Sequence, residues 1–343
     1  MTSFLRSDRS RPVAIWLFVV AALVLAMVVV GGSTRLTGSG LSITEWKPVR
    51  GVIPPMSQAD WQAEFARYQA IPQYQQINQG MTLSAFKSIY WWEWTHRLLG
   101  RLVGVVFFLP FLVFLVRRMI PQRLLIRLGG LFVLGGLQGV VGWWMVASGL
   151  SQRLYVAPER LMIHLGLAFA LLGALVWTAL NAWAGPARQT RLGPWGRAAF
   201  ALATMIYVQV LLGALVAGNH AGLVYNDFPL FNGHLLPADY AGPGLWATLA
   251  HSQGAVQLHH RLLAYLVLIV AVALGAFAWR SEDLSVGAKI LILAVAGAVI
   301  GQAALGVATL MNAAPFALSL AHQLMAAVTL CLSVALAWRM RRA

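Results

Sequence analysis

Glu93-Trp94-Thr95-His96-Arg97-Leu98-Leu99-Gly100 stands at the head of an apolar run, and much of it returns as Gln257-Leu258-His259-His260-Arg261-Leu262-Leu263-Ala264. A span through lipid takes about twenty apolar residues, which both runs supply. Glu93 and His96 are three residues apart and share a helix face, with Arg97 one step round. Ionisable groups at membrane depth are costly unless they find partners. The stretch is therefore either a functional site or a set of interfacial residues capping a helix end, and its return with His-Arg-Leu-Leu intact favours the site. The acid does not return.

Around these two segments the composition is that of a membrane protein. Of 343 residues, 59% are hydrophobic and 10% charged, with a mean hydropathy of +0.72. Apolar runs near 13–32, 90–116, 126–148, 160–183, 198–218, 257–279, 288–311 and 317–338 predict eight transmembrane helices. The first resembles a signal peptide, but it is long and Gly31-Gly32-Ser33-Thr34-Arg35 is a poor cleavage site, so it is read as a retained span. The single cysteine, Cys331, lies inside the last run and excludes an intramolecular disulfide or a cysteine-held metal cluster.

The formal charge of +15 raises nucleic acid as a partner, and its distribution argues against it. With the N-terminus inside, inner segments carry Arg6, Arg9 and Arg11; Arg117, Arg118, Arg123 and Arg127; Arg188, Arg191 and Arg197; Arg280 and Lys289; and Arg339, Arg341 and Arg342. Outer segments carry Arg35, Lys47, Arg50, Arg67, Lys87, Arg153 and Arg160, mostly in one long loop where charge counts weakly. The positive-inside rule places both termini in the cytoplasm of a multi-pass inner-membrane protein and accounts for most of the charge without nucleic acid. Two long connections then face the periplasm. Residues 33–89 contain an amphipathic stretch from Ser57 to Gln79 with room for a surface helix, and 219–256 hold Tyr225-Asn226-Asp227-Phe228-Pro229 without lysine or arginine.

The chain repeats. His96-Arg97 and His260-Arg261 are offset by 164 positions, as are Gln138-Gly139-Val140-Val141-Gly142 and Gln302-Ala303-Ala304-Leu305-Gly306, while His164 and His322 are offset by 158. The fold predicted is all-α and polytopic, with eight transmembrane helices as two repeated four-helix bundles, 1–185 and 186–343. The Gln-x-x-x-Gly pattern reads as helix packing rather than chemistry. His96, His164, His260 and His322 all fall early in helices that enter from outside, and so lie at similar depth near the outer face, two in each half. Two imidazoles on facing helices suit an axially ligated haem. Zinc would want a third or fourth ligand, and no such set recurs in both halves. Arg97 and Arg261 are placed either to pair with haem propionates or to snorkel to lipid phosphate. His220, His234, His251 and His259 have no counterparts in the first half and read as loop or interface histidines; His259 points about a hundred degrees from His260. Among the acids, Glu93 alone is expected within a helix. Beside a haem pocket it reads as proton handling or charge stabilisation, or else as a simple helix cap.

Taken in order, Gly32-Ser33-Thr34-Arg35-Leu36-Thr37 with Gly40-Leu41-Ser42, Glu45-Trp46-Lys47-Pro48, Gly51-Val52-Ile53-Pro54-Pro55, Trp91-Trp92-Glu93-Trp94-Thr95-His96-Arg97-Leu98-Leu99-Gly100-Arg101 and Gly222-Leu223-Val224-Tyr225-Asn226-Asp227-Phe228-Pro229 resemble the haem A synthases of mitochondria and alphaproteobacteria, over nearly the whole chain. The resemblance implies an oxidoreductase that converts the C8 methyl of haem O to the formyl of haem A by two successive hydroxylations, for cytochrome oxidase biogenesis. It implies substrate haem at His96 and His164, haem b at His260 and His322, and Glu93 as the family's essential glutamate. An electron donor is required but unnamed, and haem O synthase or oxidase assembly proteins are the expected partners in the lipid bilayer. Some members carry a cysteine pair in the first outer loop; this chain has none there, so a thiol-based step in that loop does not apply. Two other classes fit a paired-histidine membrane protein: a di-haem electron-transfer protein of cytochrome b type, and a haem carrier, which would need neither Glu93 nor unequal halves.

The topology makes a direct prediction. Cysteines introduced in 119–124 or 281–286 should label only from the cytoplasm, and those in 57–79 or 232–245 only from the periplasm; labelling of 57–79 from inside alone would overturn the placement of the histidines.

Overall fold

The computed structural model describes residues 10–185 and 192–341. Arg6, Arg9, Arg188, Arg191 and Arg342 of the charge pattern lie outside the described residues, as does residue 186, where the second half is set to begin. Eleven α-helices occur among the described residues: α1 (Arg11–Leu36), α2 (Gln58–Gln69), α3 (Pro72–Gln76), α4 (Leu83–Val116), α5 (Gln122–Ala147), α6 (Pro158–Ala184), α7 (Pro194–Gly218), α8 (Leu245–His251), α9 (Gln253–Arg280), α10 (Val286–Met311) and α11 (Phe316–Met340). Eight of them, all but α2, α3 and α8, are long and apolar enough to cross a membrane. The chain is an all-α polytopic membrane protein.

Local chemistry sets the helix starts. Proline opens α1, α6 and α7, where a missing N–H costs nothing. Thr82 caps α4 by accepting from the Ala85 amide at 3.2 Å, and Ser252 caps α9 by accepting from Ala255 at 3.1 Å. These caps correct two expectations. The helix carrying Glu93 begins at Leu83 rather than near residue 90, so Glu93 sits in its third turn and does not cap its end. Likewise His260 lies two turns into α9 rather than at its start.

α1 lies against α4 and α6, and α5 against α6; α7 lies against α9 and α11, and α10 against α11. α6 against α7, and α1 against α11, close the set. The result is one continuous apolar core, with Leu17, Leu128, Leu172, Leu202, Ala271, Ile292 and Leu330 among its buried members, drawn from both ends of the chain. On the outside of α4, Leu102, Val105, Leu109, Leu112 and Val116 stand exposed at three- and four-residue spacing, a stripe for lipid.

The first outer loop has its own core. The Ser57–Asp60 capping box starts α2, which with α3 forms the surface helix expected over 57–79. Beneath it Tyr68 and Phe86 are fully buried, with ring centroids 5.3 Å apart, and Phe65 packs on Phe86 at 5.0 Å. Tyr68 accepts from Asn78 Nδ2 at 2.7 Å and donates to Gln73 Oε1 at 3.0 Å. The first turns of α4 are thus the floor of the loop. Phe86→Ala should cost about 3–5 kcal/mol, seen as a lower melting temperature and faster proteolytic cleavage within 57–79 than in the other loops.

Candidate functional site

Glu93 is buried at 2% exposure, and each carboxylate oxygen is fully engaged. Oε2 accepts from the Ser42 hydroxyl and from the Ile43 amide, both at 2.8 Å. Oε1 accepts from Arg97 Nη2 at 2.7 Å and Nε at 3.1 Å. Arg97, one turn further along α4, also donates to the carbonyls of Ile43 at 2.8 Å and Glu45 at 2.9 Å. Arg101, a further turn on, donates to Lys47 and Pro48, each at 2.8 Å. The loop motif around Glu45-Trp46-Lys47-Pro48 is therefore a collar of carbonyls fastened to α4 by two arginines. Beyond it, Glu45 and Glu64 share Lys47 and Arg67, and the Lys47 ammonium at 2.6 Å holds the Glu45 carboxyl below its ordinary range.

The same unit stands on α9 with the acid replaced. Gln257, also 2% exposed, accepts from Arg261 Nη2 at 2.5 Å and donates to Ala221 at 2.8 Å and Tyr225 at 3.2 Å. Arg261 donates to the carbonyls of Asp227 at 3.0 Å, Pro229 at 3.1 Å and Leu230 at 2.8 Å. Tyr225-Asn226-Asp227-Phe228-Pro229 is the second collar. Its turn is held by Asp227, which accepts from the Gly233 amide at 2.9 Å and the Asn232 amide at 2.8 Å; these bonds keep its carboxyl below the usual aspartate range. The expectation that Glu93 alone among the acids lies in a helix is corrected: Asp60 and Glu64 lie in α2, and Glu159 in the first turn of α6. It is the one placed beyond the first turn of a span.

The four singled-out histidines each face a glycine on a neighbouring helix. A Cβ placed on Gly31, Gly142 or Gly306 would come within 2.8, 2.9 or 2.8 Å of Cε1 of His96, His164 or His322, and one on Gly213 within 3.1 Å of His260. Only a missing side chain lets the imidazole stand there. His96 is within electrostatic reach of His164, and His260 of His322. Nδ1 of His96 and of His164 are buried without a hydrogen-bond partner. At His260 and His322 one glutamine amide lies 3.0–3.3 Å and 3.1–3.4 Å from both ring nitrogens. That amide is shared between the ring nitrogens and the backbone carbonyl of the same histidine. The unpartnered ring nitrogens of His96 and His164 fit ligation of a bound group. Among the described residues no three His, Cys, Asp or Glu side chains gather for a metal.

The remaining histidines go elsewhere. His220 packs on Tyr155 at 4.3 Å, His251 faces Glu159 at 3.8 Å, His259 meets the Tyr240 hydroxyl at 3.1 Å, and His234 pairs its backbone with Phe231. Of the partners of Glu93, Ser42 stands in the Gly40-Leu41-Ser42 motif without a role legible from sequence, and Ile43 lies outside it; Gln209 with Gly213 was passed over. The latter pair repeats the Gln-x-x-x-Gly spacing of 138/142 and 302/306 and was legible from it.

The sequence profile of the COX15-CtaA family, the cytochrome oxidase assembly proteins, matches residues 14–334. The chain belongs to this family. It is similar over 342 residues, the whole of both chains, to the protein named Heme A synthase of Caulobacter sp. (strain K31) at 62% identity and to that of Caulobacter vibrioides at 60%. The Heme A synthase of Brucella ovis is 45% identical over 97% of this chain and 93% of its own.

In this member of the cytochrome oxidase assembly proteins, the collar depends on a fork. Arg97→Lys keeps the charge but reaches fewer carbonyls, and a buried acceptor left unmade costs about 1–3 kcal/mol. The expected outcome is faster amide exchange at residues 42–48 with unchanged exchange in α9; unaltered exchange in 42–48 would show that the fork does not fasten the loop.

Proposed function

We propose that this chain is a haem A synthase: an oxidoreductase that turns the C8 methyl of haem O into the formyl group of haem A by two successive hydroxylations. Haem O is held as substrate between His96 and His164 in the half 1–185, and haem b as cofactor between His260 and His322 in the half 186–343. The observation that carries the reading is the inequality of two otherwise matched sites. A buried carboxylate, Glu93, stands one turn from His96, and neutral Gln257 stands at the same place before His260. The similarity to proteins named Heme A synthase over the full length supports the same assignment. A membrane cytochrome that only passes electrons has no use for that difference.

Haem b, when bound, supplies electron transfer. The chain's own groups position, shield and manage charge. The four imidazoles ligate, and their glycines let them approach. Glu93, fixed by Ser42 and Ile43 on Oε2 and by Arg97 on Oε1, keeps one negative charge at a set place beside the substrate; Oε2 and the Ser42 hydroxyl form a path along which a proton moves. A guanidinium carries five N–H donors. At Arg97 one donor of Nη1 remains beyond the bonds above, and at Arg261 the buried Nε has no partner. Each arginine thus holds its collar and keeps a donor for a haem propionate. The collars cover the sites from the periplasmic side and exclude water, with both termini in the cytoplasm of the inner membrane. Electrons come from a separate donor, and haem O synthase and oxidase assembly proteins are the neighbours expected in the bilayer.

Glu93→Gln decides between catalysis and scaffold. Chromatography of haem extracted from cells supplied with haem O should show haem A formation down about 10²–10⁴-fold, as for loss of a general acid–base group, with haem O retained. Wild-type haem A at equal protein level would place the chemistry elsewhere. For the second site, His260→Ala or His322→Ala should remove a low-spin haem b signal, and His259→Ala should not; a full signal in both single variants would refute the ligand pair.

A further inference from the structure

Four imidazoles meet four glycines, and the residue one turn before each glycine differs at one place. Gln138 precedes Gly142, Gln209 precedes Gly213 and Gln302 precedes Gly306, whereas Met27 precedes Gly31. Each glutamine donates from Nε2 to the backbone carbonyl of the histidine on the neighbouring helix, at 2.9 Å to His164, 2.9 Å to His260 and 3.1 Å to His322. A helical carbonyl accepts its own chain's N–H and has a second lone pair for such an amide. The bond ties the helix that carries the imidazole to its neighbour at the level of the ligand.

Met27 has no N–H to donate. Its methyl lies instead toward Gly100, one turn beyond His96, where an added Cβ would meet it at 3.3 Å. Among the described residues no side chain donates to the His96 carbonyl. The pair His260 and His322 therefore has both histidine carbonyls bonded to the neighbouring helix, and the pair His96 and His164 has one bonded and one not; α1 meets α4 instead at the Trp92 carbonyl, 3.3 Å from Thr34 Oγ1, and at the Val106 carbonyl, which accepts from Trp16 Nε1 at 2.8 Å.

We infer that Met27 makes His96 the exchangeable ligand of the four, and that Gln138, Gln209 and Gln302 are positioning residues that hold the other three imidazoles. The inference rests on the proposed ligation of haem. A resident cofactor stays through many turnovers, whereas substrate must load and product must leave, and a histidine whose carbonyl lacks the glutamine bond would hold its imidazole less firmly against the facing helix than the other three. Both departures from the likeness of the two sites, Met27 against Gln209 and Glu93 against Gln257, fall at His96. The side that reacts is also the side that lets go.

The test is release of haem from the purified full-length protein, loaded in cells supplied with haem O, to excess apomyoglobin. Chromatography of the acceptor counts haem O and haem b separately. Wild-type protein should release haem O faster than haem b. Met27→Gln should slow haem O release about tenfold and leave haem b release unchanged, and Gln209→Met should speed haem b release about tenfold; that factor corresponds to about 1.4 kcal/mol, the scale of one net hydrogen bond. Gln209→Met should also shift the low-spin electron paramagnetic resonance signal of haem b, since the imidazole at His260 loses its hold. Met27→Leu, which adds no donor, should release haem O at the wild-type rate. Equal release of the two haems from wild type, or equal slowing by Met27→Gln and Met27→Leu, would overturn the inference while leaving the ligation intact. Should Met27→Gln not fold, Gln209→Met decides alone, and unchanged haem b release refutes it. Protein that carries no haem at His96 and His164 would sink the ligation itself.

Discussion

A guanidinium inside a membrane protein has no water to satisfy it, so its five donors must be met by the chain. Arg97 and Arg261 meet this constraint in the same way, each taking one side-chain oxygen a turn back on its own helix and then several backbone carbonyls from a distant loop. Loop carbonyls near lipid have the converse need for donors. The two requirements cancel at the arginines, and this is what holds the outer loop 37–82, α2 and α3 included, down against α4 in a fixed arrangement. Glu93 belongs to that network as well as to the chemistry proposed for it. Its two oxygens receive four donors, two from the loop and two from Arg97, so the charge is fixed in position before any substrate arrives.

Beneath the collars, helix approach is governed by glycine. The imidazoles at positions 96, 164, 260 and 322 fill the space that a side chain would take on the facing helix, and three of the glycines have a glutamine one turn away that bonds to the histidine backbone. Packing and the placement of the imidazoles are one interaction there. The reading of Gln138 and Gln302 as packing residues is correct in kind, but what they pack against is the histidine.

Much of this was legible. Long apolar runs named all eight spans, and the repeated His-Arg pair named the helices that matter. What hydropathy could not see was the start of α4, because its first turns carry Lys87 and alternate polar with aromatic residues to floor the outer loop rather than to face lipid. The partners of Glu93 were hidden for another reason: Ser42 and Ile43 are some fifty residues away, and although Gly40-Leu41-Ser42 is a motif, nothing in it says that its hydroxyl and the next backbone amide turn toward an acid on α4. Gln209 escaped because the search for repeats matched 138 with 302, and the counterpart of Gln209 in the first half is a methionine. A departure from a pattern conceals the pattern.

α1 is bound to parts of the chain made much later. Its Val28 carbonyl accepts from Gln323 Nε2 at 2.7 Å across 295 positions of sequence, Gly32 leaves room for the same amide, and Arg35 donates to the Ala217 carbonyl. During synthesis, then, the first span to enter the bilayer waits in lipid with its small-residue face uncovered until the eighth is inserted beside it. α4 and α6 cover the rest of α1 earlier, so the groove along α1 and α6 closes only when α11 packs into it.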